Sequence, residues 1–159
     1  MQLTSQMSAV VTGGGSGLGL ATTEKLVAKG VHVVVADYAD KKQELAEQFG
    51  DKVTYIKADV TQAEQVEAAI AAAVDIAPLR VLVICAGFGG AIRLVERDGS
   101  PGELEKFENI IRVNIIGTYN ALRFAAAAMA KNEVINGERG ACVLTASAAA
   151  YEGQIGQIA

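Results

Sequence analysis

The chain has 159 residues, of which 51% are apolar, and it carries a formal net charge of −4. A chain of this length can bury one apolar core, so we expect a single domain spanning residues 1–159. The acidic balance excludes the basic surface that nucleic-acid binding requires. The longest apolar stretch, Phe124 to Ala130, is too short to cross a bilayer. We therefore expect neither nucleic acid nor a membrane as a partner.

The cysteines and the N-terminus favour a reducing, cytoplasmic location. Cys85 and Cys142 lie far apart, each within an apolar run. This spacing is typical of buried reduced thiols and does not fit a zinc site, so no metal is expected. The N-terminal residues lack the charged start and apolar stretch of a signal peptide.

Five short runs rich in Val and Ile alternate with helical patterns along the chain. Each run is bounded by Gly or charged residues, which is typical of strands buried on both faces of a parallel sheet. The predicted strands are Ser8–Val11, Val31–Ala36, Val53–Lys57, Leu79–Cys85 and Ala141–Ala146. This alternation predicts an α/β fold, a Rossmann-type doubly wound parallel sheet that stops after its fifth strand.

Helical patterns fill most of the intervals between these runs. The predicted helices are Leu18–Lys29, Asp40–Phe49, Thr61–Val74 and Glu103–Lys131, the last with a break that divides it in two. Gly30 and Gly50 follow the first two helices and predict glycine C-caps. Thr61 with Glu64 three residues later predicts a capping box. Three glycines and mixed charge within Phe88–Pro101 indicate a surface loop.

A glycine-rich turn, Thr12-Gly13-Gly14-Gly15-Ser16-Gly17-Leu18-Gly19, joins the first predicted strand to the first helix. A dinucleotide site needs a sharp turn, a close approach of backbone to the pyrophosphate, and close helix–strand packing. Gly13, Gly17 and Gly19 can supply these because they lack a Cβ. Amides near Leu18 and the Ser16 hydroxyl would face the phosphates. Methyltransferases and purely structural turns also use such glycines, so both alternatives stay open.

Acidic and small residues follow the next three predicted strands. Asp37 could accept hydrogen bonds from the adenosine ribose and would repel a 2′-phosphate, which favours NAD over NADP. Lys41 and Lys42 are close enough in the sequence to soften that preference, but not to reverse it. Asp59-Val60 follows the third strand, although Asp59 could equally belong to a helix N-terminal turn. Cys85-Ala86-Gly87 follows the fourth strand, where small residues leave room for a ligand.

These motifs occur in the order typical of the short-chain dehydrogenase/reductase family, which the whole chain resembles. The Thr-Gly-x-x-x-Gly-x-Gly spacing at residues 12–19 is that family's form of the glycine loop. The resemblance implies strand order 3-2-1-4-5. It also implies that Asp59 and Val60 meet the adenine and that Cys85 to Gly87 line the adenosine half of NAD. Ile84-Cys85 stands where the family usually has Asn-Asn.

The resemblance also implies catalytic and substrate residues. Asn114 would position a water in the proton relay, with a mid-helix polar role as the alternative. Ser147 would hydrogen-bond the substrate carbonyl, with a turn-forming role as the alternative. The stretch Ser147–Gln157 is similar to type 2 3-hydroxyacyl-CoA dehydrogenases, which implies that Gln154 lines the substrate pocket. The implied protein is an NAD-dependent oxidoreductase of secondary alcohols, a 3-hydroxyacyl-CoA among them, that assembles as a homo-tetramer.

The family's Tyr-x-x-x-Lys pair has no convincing match in this sequence. Counting from Ser147, the tyrosine would fall just beyond Ala159, so we expect an incomplete domain that is inactive alone. Tyr38 with Lys42 fits the spacing but lies at the adenosine end, and Tyr151 has Ile155 in the lysine position. The alternative function is a non-catalytic nucleotide-binding or regulatory module.

Overall fold

A five-stranded parallel sheet forms the centre of the molecule. A computed structural model describes every residue from Met1 to Ala159. The strands are β1 (Ser8–Thr12), β2 (His32–Asp37), β3 (Val53–Lys57), β4 (Leu79–Ile84) and β5 (Ala141–Leu144). Their order is β3-β2-β1-β4-β5, and every neighbouring pair is parallel. The fold is the predicted Rossmann-type doubly wound sheet, with the predicted strand order.

Helices connect the strands and cover both faces of the sheet. They are α1 (Gly17–Ala28), α2 (Lys42–Phe49), α3 (Ala63–Ile76), α4 (Leu104–Ile111), α5 (Thr118–Met129) and α6 (Ala149–Glu152). A 3₁₀ turn, Gly50–Lys52, precedes β3, and a π-helical segment, Arg112–Gly117, joins α4 to α5. None of the helices combines the length and the apolar character needed to span a bilayer.

Successive residues of the central strands point to opposite faces of the sheet and build two cores. Val10 and Leu82 face one side, where they pack against α3 and α5. Val11 and Val33 face the other side, where they pack against α1 and α2. These four side chains are essentially fully buried, and complete burial of each contributes about 1.5–3 kcal/mol. The two-sided burial explains why the central strands are continuous apolar runs.

The two outer strands are less buried than predicted. β3 has a buried residue only at its start, and β5 leaves the side chains of Val143 and Leu144 about half exposed. Each outer strand has a neighbour on one side only, so part of its apolar surface is uncovered. Cys142 on β5 was expected to be buried but is only half-buried. This partial burial raises the pKa of its thiol.

The helix ends agree only in part with the sequence patterns. Gly30 and Gly50 follow α1 and α2 with positive φ, as glycine C-caps require. The predicted capping box is wrong, because α3 begins after Gln62 and no side chain caps it. The Asp59 carboxylate instead accepts a hydrogen bond from the backbone N–H of Thr61, 2.9 Å away. The expected break in the long helix is the π-helical segment, and the chain stays helical through it.

His32 makes the stability of this fold depend on pH. Its Nε2 lies 3.0 Å from the Thr54 hydroxyl on β3, and partial burial lowers the pKa of His32 below its ordinary value of 6.5. The unfolded chain therefore takes up a proton before the folded chain does, and stability is lost as pH falls through about 6.5. His32 is the chain's one histidine, and other side chains ordinarily titrate outside this window.

We expect the free energy of unfolding to fall between about pH 7 and pH 5.5, as measured by urea denaturation. A His32→Gln variant keeps a polar group beside Thr54 and should lack most of this decline. An equally steep decline in the variant would contradict the role given to His32.

Candidate functional site

A crevice of about 660 Å³ opens at the carboxyl ends of the central strands. It lies beside β1, which has β2 on one side and β4 on the other. The strand order therefore reverses direction at this point. Open α/β sheets bind ligands at such a point. The structure brings together around this crevice all the residues that the sequence proposed for the cofactor. They are Gly13, Ser16, Gly17, Leu18, Gly19, Asp37, Asp59, Val60, Cys85, Ala86 and Gly87.

The glycine loop is packed so closely that side chains would not fit in two places. Gly13 has φ +66°, and a Cβ there would lie 2.8 Å from the backbone N of Ala86. A Cβ on Gly19 would overlap the carbonyl oxygen of Gly13. Backbone therefore meets backbone at both positions, which brings the loop and the start of α1 down onto the sheet.

The N-terminus of α1 is suited to an anion. The first amides of a helix have no carbonyl partners within it, and the helix dipole adds positive potential there. Ser16 occupies the N-cap position but makes no side-chain cap bond, and the first turn has no acidic residue. A Cβ on Gly17 would meet nothing within 4 Å, so the space above the loop is open. Free amides, open space and a free hydroxyl fit a diphosphate.

Asp37 is fixed at one end of the crevice by two backbone amides. Its Oδ2 accepts a hydrogen bond from the N–H of Gly15 at 2.9 Å, and its Oδ1 accepts one from Ala39 at 3.0 Å. The residue is only 9% exposed, but it lines the crevice. Carboxylate oxygens have further lone pairs, so Asp37 can still accept hydrogen bonds from a ligand.

Lys41 lies beside this carboxylate but its ammonium is engaged elsewhere. A Cβ on Gly15 would lie 2.8 Å from Cγ of Lys41, so the lysine stem covers the glycine loop. The Lys41 Nζ donates to both carboxylate oxygens of Glu44, at 2.9 and 2.8 Å. These bonds raise the pKa of Lys41. The ammonium of Lys41 is therefore paired with Glu44.

The opposite wall of the crevice is tied to β1 by Thr12. The buried Thr12 hydroxyl accepts a hydrogen bond from the N–H of Ala86 at 3.3 Å, and its carbonyl accepts one from Cys85 at 3.0 Å. Cys85 is a half-buried free thiol, and the Thr145 hydroxyl lies 3.7 Å from its sulfur. These contacts hold the Cys85–Gly87 segment along the crevice although the family's usual asparagines are absent.

Asn114 lies within the π-helical segment and holds the next part of the wall. Its Oδ1 accepts a hydrogen bond from the N–H of Phe88 at 3.0 Å, and its Nδ2 donates to the Phe88 carbonyl at 2.8 Å. Phe88 lines the crevice, whereas Asn114 does not. π-Helical turns occur often at functional sites. The structure therefore gives Asn114 a positioning contact, and its part in a proton relay stays a prediction.

Ser147 and Gln154 do not line the crevice. Both are exposed, and the Ser147 Oγ accepts a hydrogen bond from the N–H of Ala149 at 3.2 Å, as a turn-forming serine does. Thr145, two residues before Ser147, is the crevice residue contributed by this part of the chain. The structure therefore brings the cofactor residues together and leaves the proposed substrate residues outside them.

Several crevice residues were not identified from the sequence: Ala36, Tyr38, Ala58, Phe88, Asn109, Val113 and Thr145. Tyr38 and Phe88 directly follow residues that were identified, so extending each motif by one position would have found them. Asn109 and Val113 are spaced like one turn of a helix. Their helical spacing was visible, but nothing local showed which face of the helix meets the crevice.

An open α/β sheet with a glycine loop after its first strand, an acidic residue at the end of its second strand and a crevice between them is typical of dinucleotide-binding enzyme domains. Residues 7–159 match the model of the family described as short chain dehydrogenase. The chain is 42% identical over 154 residues to 3-hydroxyacyl-CoA dehydrogenase type-2 of Drosophila melanogaster, and 41% identical over 155 residues to that of Homo sapiens. These alignments cover 94% and 95% of this chain but 60% and 59% of the relatives.

The crystal structure of 3-hydroxyacyl-CoA dehydrogenase type-2 from Mycobacterium avium superposes with a TM-score of 0.93 at 46% sequence identity. The match covers 99% of this chain and 63% of that one. The chain therefore belongs to the short-chain dehydrogenase family, as its motifs predicted, and spans about 60% of the length of these relatives. Membership of this family implies a nicotinamide cofactor, which the crevice residues described above fit.

The backbone contact at Gly19 gives a direct test of the loop. We expect Gly19→Ala to destabilise the chain by about 1–3 kcal/mol, as overpacking does, because the loop or α1 must move. Gly89→Ala is the matched control, since a Cβ there meets nothing within 4 Å. Thermal and urea unfolding of both variants measure the difference. Equal stabilities would show that the loop can relax without cost.

Proposed function

We propose that this chain binds NAD in the crevice and that the dehydrogenase of which it forms the NAD-binding part oxidises a secondary alcohol by hydride transfer. The carboxylate of Asp37, held by Gly15 and Ala39 opposite the amides of α1, is the observation that carries this proposal. A positive helix end suits the diphosphate, and a fixed carboxylate suits the hydroxyls of the adenosine ribose. Both groups line one crevice.

The charges at the adenosine end support NAD over NADP. A 2′-phosphate would approach the carboxylate of Asp37, which is buried enough that water screens it poorly. Lys41, which lies near Asp37 beside Gly15, is bonded to Glu44. The like-charge contact with Asp37 disfavours NADP.

For the chemical step, the nicotinamide when bound supplies the hydride acceptor. Ser147 would donate a hydrogen bond to the substrate oxygen. Its Oγ is the acceptor in the bond with the N–H of Ala149, so the hydroxyl proton remains available for donation. Asn114 would hold Phe88 and support the proton relay, and Gln154 would line the substrate pocket. A 3-hydroxyacyl-CoA is our candidate substrate, supported by the names of the relatives that the chain matches.

We also propose that the protein assembles as a homo-oligomer, a tetramer by family likeness, through the α4–α5 region. Ile115 and Ile116 lie in this region with about half of each side chain exposed. Adjacent exposed apolar side chains are typical of a surface that another chain covers.

Cofactor binding is testable by calorimetry. We expect the chain to bind NAD more tightly than NADP and to bind no S-adenosylmethionine. Asp37→Asn should weaken NAD binding about ten-fold or more, because hydrogen bonds to a charged acceptor contribute about 1.5–3 kcal/mol. Asp40→Asn is the matched control, since Asp40 is exposed and lies outside the crevice. Absence of NAD binding, or equal affinities in both variants, would refute the proposal.

Turnover is testable by the absorbance of NADH. Tyr38 lines the adenosine end of the crevice, and Tyr151 is 91% exposed with Ile155 four residues later. Neither supplies a tyrosine–lysine pair beside Ser147, so residues 1–159 hold no general base of that kind. We therefore expect the 159-residue chain to bind NAD without forming NADH from 3-hydroxybutyryl-CoA. Measurable NADH formation would contradict this expectation.

A further inference from the structure

We propose that Tyr55 on β3 is a positioning residue for the cofactor, holding the turn after β2 so that Asp37 presents its carboxylate to the ribose. This inference rests on the proposed binding of NAD at Asp37. Tyr55 itself does not line the crevice. It acts from the neighbouring strand, through the backbone of Ala39.

A continuous set of hydrogen bonds connects the phenol to the carboxylate. The Tyr55 hydroxyl donates to the carbonyl of Ala39 at 2.8 Å and lies 3.4 Å from the carbonyl of Asp37. The N–H of Ala39 donates to Oδ1 of Asp37 at 3.0 Å. Ala39 thus receives a bond from Tyr55 on its carbonyl and gives one to Asp37 from its amide. The position of Oδ1 depends on where the phenol holds this residue.

The phenol is well placed for this task because its ring is fixed. Tyr55 pairs in register with Val35 of β2, and its partly buried ring packs against the core beneath α1 and α2. A ring with two side-chain torsions loses little freedom when it is held in this way. Partial burial also raises the pKa of Tyr55 above its ordinary value of 10, so the hydroxyl keeps its proton at neutral pH.

Beyond these bonds, the turn is held by the Asp40 carboxylate, which accepts a hydrogen bond from the N–H of Lys42 at 3.3 Å. Tyr38, Ala39 and Asp40 are all exposed, and the Tyr38 side chain packs on no core. Oδ2 of Asp37 is held separately by Gly15. Removing the Tyr55 hydroxyl should therefore loosen one carboxylate oxygen and leave the other in place. The expected result is a partial loss of NAD affinity and not its abolition.

The test is Tyr55→Phe in the 159-residue chain, with NAD and NADP titrated by calorimetry. We expect NAD binding to weaken about three- to ten-fold, the range for loss of one hydrogen bond, while NADP binding weakens less. The NAD-to-NADP preference therefore falls, which a general loss of stability would not cause. Tyr119→Phe is the matched control, because Tyr119 lies on α5, is exposed and is outside the crevice. Thermal unfolding checks that both variants fold.

A double-mutant cycle shows whether Tyr55 acts through Asp37. If it does, Tyr55→Phe should not weaken NAD binding further in an Asp37→Asn background. Undiminished NAD affinity in Tyr55→Phe, or losses that add fully in the double variant, would overturn the inference while leaving NAD binding itself established. Failure of the unmodified chain to bind NAD is the separate result that would overturn the proposed function.

Discussion

The whole crevice depends on a contact between two stretches of backbone. Gly13 lies against Ala86, and Gly19 lies against the carbonyl of Gly13, with no room for a Cβ at either position. This packing sets how close α1 sits to the sheet, and therefore where its free amides point. It also sets the distance between the glycine loop and the Cys85–Gly87 wall. A side chain at either glycine would clash with this backbone, so the loop, α1 or the Cys85–Gly87 wall would have to move.

The acidic end of the crevice depends on a second set of contacts, which joins the ends of three neighbouring strands, β1, β2 and β3. Asp37 ends β2, but its carboxylate is bonded to Gly15 from the loop after β1 and to Ala39 from its own turn. Tyr55 holds that turn from β3. Three successive strands of the sheet therefore cooperate to fix one side chain. An acidic residue at a strand end becomes a defined acceptor only because its neighbours restrict its rotamers.

The sequence predicted those features that depend on local pattern. The central strands are recognisable because burial on both faces requires continuous apolar runs such as Val33–Val35, and the glycine loop is recognisable because its spacing is fixed by backbone packing. One failure is local, and the others involve distant partners. The capping box is wrong because α3 begins after Gln62, and the Thr61 amide donates to the Asp59 carboxylate. The contacts of Asn114 with Phe88 and of Tyr55 with Ala39 join segments whose proximity no local pattern encodes.

The two proposed roles of Ser147 as a turn former and a substrate ligand are compatible in the structure. The N–H of Thr145 donates to the carbonyl of Ile84 at 3.1 Å and extends the pairing of β5 with β4 by one bond. Thr145 faces the crevice, and Ser147, two residues later, lies just outside it. The chain turns at Ser147, where the hydroxyl oxygen accepts from Ala149. Because that bond uses a lone pair and not the proton, the same hydroxyl remains a donor for a carbonyl oxygen.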